Sequence, residues 1–388
     1  MFLHVDMDAF FVSCELATNP QIKHKPVVVS TGYKKRGVVA SASYKARKYG
    51  IKSGMPLYMA RMLVPDLYVI PANISKYAAI SENIMETLRK FTPHLEVFSI
   101  DEAYLNISYF KKDPIILAKK IKQEIKNLYK LPLTIGIGPS RVVAKAVCKR
   151  AKPDGIGIVH PENILEFMGS LNIEEIPGIG EKNVTILKQH GIYKGRDLQR
   201  TDDNFLQKLI GIRGTWFKLL ALGKDTGYFL PGFGNTIKSI GHSETLPFQT
   251  DDLNILKSYL LYLSIKVSQR AYRLKRMGNG IALEVKFSDF SHRTRQKKLS
   301  GYLYKYDDIY KVASSILHDT DIKKDVRLLG VTLYNTVPLT HRNMLLFDTK
   351  SLSDVLHKIY EKYGDFSIIP LSLLNINTLP KSIPPKIR

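Results

Sequence analysis

The chain has 388 residues, enough at about 150 residues per domain for two or three cooperating units. Apolar types make up 44% and charged types 24%, a balance that fits a globular chain with real cores and excludes wholesale disorder. Lysine and arginine number 58 against 35 acidic residues, a formal charge of +23, so a polyanion is the leading expected partner and an anionic membrane surface the second.

In chain order, FLHVD (2–6) predicts a short strand ending on Asp6, and a helix is expected over 10–17, stopping near Asn19-Pro20. PVVVS (26–30) and GVVASAS (37–43) are β-rich runs separated by KKRG. Short helices at 44–49 and 56–63 and the run LYVIP (67–71) close this segment. From Lys23 through Arg61 it carries ten basic residues and no acidic one. A longer helix over 74–91 places Ile80, Ile84 and Leu88 on one stripe. LEVFSI (95–100) and AYLNIS (103–108) alternate like the arms of a hairpin with Asp101 and Glu102 at its bend. A helix over 114–130, the strand LTIGIG (133–138) and a helix over 140–151 with Ser140 as N-cap complete the run. Without the basic insertion the order is β-α-β-β-α-β, a ferredoxin-like motif.

Residues 166–230 change to short helices joined by Gly-containing turns, and PGFGNT (231–236) is the linker candidate. Beyond it a helix over 252–272 repeats Leu253, Leu256, Leu260, Leu263 and Val267. Strands near 281–288 and 294–300, a helix near 308–318 and a strand at 326–334 give a second outline of the same element order, without a repeat in sequence. The end, with Pro380, Pro384 and Pro385, is expected to trail off unfolded. No stretch reaches the roughly 20 apolar residues of a spanning helix, and Asp6 and Asp8 interrupt the apolar start, so no membrane is expected and the cytoplasm is the expected location. Cys14 and Cys148, the only cysteines, form no CxxC and can build neither a disulfide framework nor a Cys-rich zinc site.

The first and third strands of such a motif lie side by side, which would bring Asp6 to Asp101 and Glu102. Three converging carboxylates repel unless hard divalent cations sit among them. Two Mg²⁺ ions in such a cluster serve in-line phosphoryl chemistry, and the Met7 carbonyl could add an oxygen. The other reading is a strand-end cap and an ordinary acidic turn; Asp8 reads as structural. Tyr44 and Arg47, three apart on a helical turn, share a face suited to phosphate oxygens, and Lys152 adds a point charge. Phe10 reads as core; Phe11 reads either as core or as a flat ring against a nucleotide sugar, leaving no room for a 2′-hydroxyl.

IEEIPGIGEKNVTILKQHGI (173–192) has a Pro-Gly-Ile-Gly turn whose Gly178 and Gly180, with Lys182, suit a DNA phosphate without regard to sequence, and 209–223 reads as a looser copy. Further on, Arg270 and Arg273, then Arg293, Arg295 and Lys297, are candidates for backbone contacts with duplex DNA.

Together VDMDAFF, ASYKARKYG, SIDEAYLNIS, LTIGIGPSRVVAKAVCKRAKPDGI and PGIG, in this order, resemble the Y-family translesion DNA polymerases of the DinB and UmuC-like group over residues 1 to about 370. The resemblance implies an α+β right-hand polymerase. Its ferredoxin-like palm would be 1–10 and 75–165, with small fingers at 11–74 and a helix-hairpin-helix thumb at 166–232. A linker at 233–240, a separate α/β little finger at 241–350 and a C-terminal extension at 351–388 would follow. It implies that Asp6, Asp101, Glu102 and the Met7 carbonyl hold two Mg²⁺ ions, with Mn²⁺ able to substitute. Phe10, Phe11, Tyr44, Arg47 and Lys152 would bind the incoming dNTP, with Phe11 the steric gate. Val38, Ala40, Ser41, Ala42 and Gly54 would roof the nascent pair. The implied activity is extension of a primer 3′-hydroxyl on primer-template DNA, with low fidelity, past damaged bases and without a proofreading exonuclease, by a monomer. Asn343, Met344, Leu346 and Phe347 in NMLLF resemble a sliding-clamp peptide, a packed strand end being the other reading. Two rival classes are a DNA-binding protein without catalysis and another two-metal enzyme such as a nucleotide cyclase, neither of which accounts for every motif.

Overall fold

The structure, a computed structural model, describes residues 1–31, 37–229, 237–339, 352–370 and 373. The clamp-like peptide at 343–347, the PGFGNT stretch (231–236) and the proline-rich end lie outside the described residues. The chain forms two compact units, Met1–Phe233 and Gly234–Arg388.

In the first unit β1 (Phe2–Met7) and α1 (Phe10–Thr18) lead into a small excursion. It comprises β2 (Val27–Ser30), β3 (Val39–Ala42), α2 (Tyr44–Lys48), α3 (Leu57–Leu63) and β4 (Tyr68–Pro71). Its three strands pair in the order β3-β2-β4 around a small core of Val28, Val39, Ala46, Ile51 and Leu57. α4 (Ile74–Arg89), β5 (Leu95–Val97), β6 (Glu102–Asn106), α5 (Pro114–Tyr129), β7 (Leu133–Gly138), α6 (Arg141–Ala151) and β8 (Ile156–Ile158) follow. The main sheet runs β5-β6-β1-β7-β8, so β1 and β6, the first and third strands of the β-α-β-β-α-β run, do lie side by side. On one face Leu3, Val5 and Met7 alternate inward to meet Ile84 and Leu88 of α4 and Ile121 and Ile125 of α5. α1 joins the same core through Phe10, Val12 and Cys14. α6 covers the other face, and the glycines of LTIGIG explain how closely. A Cβ at Gly136 would lie 2.0 Å from the Ala144 carbonyl oxygen, and one at Gly138 2.7 Å from Val143 Cγ1. Only bare backbone lets the helix settle onto this strand.

α7 (Ile164–Ser170), α8 (Glu181–Gln189), α9 (Gly195–Arg200), α10 (Asp203–Ile210) and α11 (Ile212–Ala221) build a helical region that shares a core with α6. Asp225 fastens it: its carboxylate accepts from the Arg141 and Val142 N–H groups at 3.1 and 2.9 Å, capping α6 together with Ser140.

The second unit holds β9 (Ser239–Thr250), α12 (Leu253–Arg273), β10 (Arg276–Phe287), β11 (His292–Leu303), α13 (Tyr306–His318), β12 (Val326–Pro338) and α14 (Leu352–Tyr363). The element order repeats that of the first sheet, but the strand order β11-β10-β12-β9 does not, since here the second and fourth strands are central. Ile281, Leu283 and Val285 of β10 and Leu329, Val331 and Leu333 of β12 face α12 and α13. α14 joins this core through Leu356 and Tyr360, and Asp365 beyond it pairs with Arg273 at 2.5 Å.

Several expectations are corrected. The hairpin arm 95–100 ends at Val97, and Glu102 is the first residue of β6 rather than part of the bend, because its backbone pairs with Asp6. β8 and β9 are strands that the pattern did not reveal. The first helix of the Pro-Gly-Ile-Gly hairpin is only a 3-10 turn at Ile173–Glu175. Leu253, at the first turn of α12, is exposed rather than part of its buried stripe.

Candidate active site

Asp6 and Glu102 are register partners across the β1–β6 ladder, so their side chains leave the sheet on the same side. Asp101 precedes β6; its carbonyl accepts from the Met7 N–H at 2.9 Å and its carboxylate accepts from the Ser99 hydroxyl at 2.6 Å. The Met7 N–H is thereby committed, and the neighbouring backbone is pinned to the bend that carries Asp101.

Two ammonium groups cover the carboxylates. Lys152, the C-cap of α6, places Nζ 2.5 Å from Asp6 Oδ1, and Lys145, two turns earlier, pairs with Glu102. Burial pushes the Asp6 carboxyl above its ordinary range, the charges of Glu102 and Asp101 push the same way, and Lys152 opposes them. Burial also works against a charged Glu102, but the facing His4 imidazole and the Lys145 ammonium overcome it and hold its pKa below the ordinary range. A buried and a half-buried carboxylate on one strand pair thus carry cations already. This oxygen-rich, cation-seeking donor set suits divalent magnesium.

Asp8 is fully buried and accepts three hydrogen bonds: from the Tyr44 hydroxyl at 3.0 Å, the Thr134 hydroxyl at 2.9 Å and the Asp154 N–H at 2.8 Å. It ties the β3–α2 region and the loop behind Lys152 to the end of β1, the structural role its sequence position implied. Arg47 lies with its guanidinium 4.9 Å over the Tyr44 ring while its Nε donates to the Ala42 carbonyl at 3.0 Å. Tyr44 and Arg47 therefore share a face, as their spacing predicts.

Phe11 stacks on the buried Tyr77 at 4.4 Å between centroids and 16° between planes. The Tyr77 hydroxyl donates to Glu15 at 2.8 Å, and Lys76 closes on the same carboxylate at 2.9 Å. An aromatic on such a platform has a fixed plane.

Phe10 and part of the expected roof lack the surface their roles would need, whereas the basic candidates of the second unit are exposed. The Phe10 ring is 3% exposed in the core, so only its backbone can meet a ligand. Ser41 and Ala42 are buried as well; of the roof residues only Val38, Ala40 and Gly54 present surface. In the second unit Arg293, Arg295 and Lys297 pair with Val285, Leu283 and Ile281, so they share the helix-covered side of the sheet at its edge. Arg293 and Arg295 donate to the carbonyls of Asp321 and Asp319 there. The open side of β11 carries His292, Thr294, Gln296 and Lys298. Arg270 donates to the Gly241 carbonyl at 3.0 Å, and Arg273 is held by Asp365.

Gly178 has φ +98, a conformation that favours glycine, and Gly180 opens α8 without a side-chain cap among the described residues. Both glycines and Lys182 are exposed. The second copy is real in outline: Gly211, at φ +72, joins α10 to α11.

The sequence reading missed His4, Lys145 and Cys148. His4 stands two residues before Asp6, hence on the same face of β1, and Lys145, Cys148 and Lys152 repeat at helical spacing toward the carboxylates. Those two periodicities were the available signal.

A five-stranded sheet with paired acidic residues, a helical hairpin region and a separate sheet-and-helix unit define a right-hand nucleotidyltransferase. The impB/mucB/samB family matches residues 5–149, its C-terminal domain residues 237–346, and the IMS family HHH motif residues 161–192. DNA polymerase IV 1 of Halalkalibacterium halodurans is 33% identical over 94% of this chain and 91% of its own length. DNA polymerase IV 2 of Methanosarcina mazei is 34% identical over 89% and 95%. A solved Y-family DNA polymerase chimera of Dbh and Dpo4 aligns with a TM-score of 0.80 at 34% identity, covering 87% of this chain and 99% of that one. The chain belongs to the Y-family DNA polymerases, in the DinB/UmuC group, and carries out template-directed nucleotide addition. Among the described residues no helix is long and apolar enough to cross a membrane.

Proposed function

We propose that the Asp6, Asp101 and Glu102 carboxylates hold two Mg²⁺ ions and that the chain adds deoxynucleotides to a primer 3′-hydroxyl. The observation that carries the reading is the Asp6–Glu102 pair, held under two ammonium groups on one face of the sheet. When bound, the ions acidify the primer hydroxyl and balance the charge of the departing pyrophosphate. The chain's own residues do the rest. Lys152 leaves Asp6 for the triphosphate; Arg47 turns its guanidinium from the Ala42 carbonyl toward the same phosphates, with Tyr44 beneath it. Phe11, flat against Tyr77, occupies the space a 2′-hydroxyl would need.

In this reading residues 1–10 and 75–165 are the palm, 11–74 the fingers, 166–232 the thumb and 241–350 the little finger. Gly178, Gly180 and Lys182 take template or primer phosphates through the thumb. The small side chains at Ala40 and Gly54, beside Val38, would leave room for a distorted template base, which supports the reading of lesion bypass at low fidelity. Residues 343–347 are proposed as a clamp peptide, and Phe347→Ala should end clamp capture in a pull-down.

The test is primer extension with each dNTP over intact and damaged templates, with and without Mg²⁺. Extension past the lesion that needs Mg²⁺ supports the reading; a chain that binds DNA and extends nothing overturns it.

A further inference from the structure

His4 lies directly behind the carboxylates and is 1% exposed, yet neither ring nitrogen has a hydrogen-bond partner among the described residues. Its Nε2 stands 3.6 Å from Glu102 Oε2, too far for a hydrogen bond. At that separation Glu102 is an electrostatic neighbour of the ring and not a hydrogen-bond acceptor, and a buried imidazole without a hydrogen bond costs on the order of 1–3 kcal/mol. Such a group calls for a ligand.

Two neighbours supply the rest of a coordination set. Asp6, two residues on, shares its face of β1. Cys148 comes from α6, and it arrives because the strand residue next to His4 is Gly136. A Cβ at Gly136 would lie 2.7 Å from Cys148 Cβ, so any side chain there would push the thiol away. As built, the ligand atoms of His4, Asp6 and Cys148 all lie within 4.8 Å of one another. Zn–N and Zn–O distances near 2.0–2.2 Å and Zn–S near 2.3 Å place tetrahedral ligands about 3.5 Å apart, so about an ångström of adjustment closes the set. A cavity of about 370 Å³ opens on all three residues and provides an entry path.

The structure assigns His4, Asp6 and Cys148 to a site for a thiophilic divalent ion of the Zn²⁺ class, whose occupancy withdraws Asp6 from the magnesium-binding carboxylates. Magnesium wants oxygen and has little use for an imidazole and a thiol, whereas zinc takes both. A neutral imidazole, one carboxylate and one thiolate, its proton released to water, balance a doubly charged ion. Glu102 or water completes the tetrahedron. Lys152 must leave Asp6 when the ion enters, and the carboxylate then serves two competing metals. The consequence is a polymerase inhibited by zinc in the presence of excess magnesium. Metal binding stands apart from the polymerase reading; the inhibition rests on it.

Co²⁺ is the probe, since a thiolate ligand gives it a near-ultraviolet charge-transfer band that neither carboxylate nor imidazole produces. Titration of the full-length chain should yield that band at one equivalent, and Zn²⁺ should bleach it. Cys148→Ser should lose the band, and the Zn²⁺ concentration that halves primer extension at fixed Mg²⁺ should rise at least tenfold, since even changes outside the ligand set cost about 10–100-fold in metal affinity. Should the serine variant fold poorly, His4→Gln keeps the thiol and must weaken Zn²⁺ binding by a similar factor. The absence of the band, its persistence in Cys148→Ser, or equal zinc inhibition of the parent chain and Cys148→Ser would overturn the assignment. A chain that shows the band and extends no primer counts against the polymerase reading alone.

Discussion

Asp6 and Glu102 stand opposite each other in the β1–β6 ladder, each capped by a lysine from a single helix, Lys152 on the first and Lys145 on the second. The lysines come from α6, which can lie this close only because Gly136 and Gly138 leave β7 bare. The site is thus assembled by one strand pair and one helix. Its separate parts can be tested one at a time.

Asp101→Asn should reduce primer extension by at least about 100-fold while leaving DNA affinity within twofold, because a neutral amide cannot hold a divalent cation yet keeps the shape of the bend. Primer extension beside a gel-shift titration on the same DNA checks it. Unchanged extension would remove Asp101 from the metal-binding set.

Phe11→Ala should admit ribonucleotides, lowering discrimination against the 2′-hydroxyl by about tenfold or more. The ring acts by occupying space, and its plane is fixed by Tyr77. Single-nucleotide insertion kinetics with dNTP and rNTP measure this; unchanged rejection of ribose would place the gate elsewhere.

Asp8→Ala would leave the Thr134 hydroxyl and the Asp154 N–H without their buried acceptor and release Tyr44. The expected loss is about 2–4 kcal/mol of stability, read from chemical denaturation. A change below about 0.5 kcal/mol, the scale of surface substitutions, would deny Asp8 its structural role.

Gly136→Ala should be worse than an ordinary glycine replacement, because the added Cβ would meet the Ala144 carbonyl oxygen at 2.0 Å and Cys148 N at 2.3 Å. Loss of soluble, cooperatively unfolding protein is expected. Normal thermal unfolding would mean that α6 can ride higher on the sheet than the structure shows.

Stability of the second unit should depend on pH through His242. Burial, then the charges of Lys266 and Arg270, hold its pKa below the ordinary 6.5. Between the two values the unfolded chain binds a proton that the folded chain refuses, so stability falls as pH drops below 6.5 and is flat above it. His242→Gln should flatten that slope in urea titrations; an unchanged slope would assign it to other groups.

The palm sheet was legible in the sequence because each of its strands and helices carries its own periodicity and Ser140 marks the start of α6. What neighbours dictate was not. Glu102 is a strand residue only because Asp6 pairs with it, and β8 is three residues long with no pattern of its own. Carboxylates, arginine and the aromatic pair declared themselves by type and spacing. Lys145 and His4 did not, since a helical lysine and a strand histidine look ordinary until Gly136 brings the two elements together. Arg293 and Arg295 share one side of β11, as alternation implies; register makes it the side on which the helices lie, and both side chains stay exposed at the sheet edge.

The most direct test is anomalous scattering from Mn²⁺ in crystals of the protein with primer-template DNA and a non-hydrolysable dNTP. The account predicts two peaks, with oxygens of Asp6, Asp101 and Glu102 around them and Lys152 turned to the phosphates. An absence of peaks there, or ions held by other residues while Lys152 stays on Asp6, would contradict it.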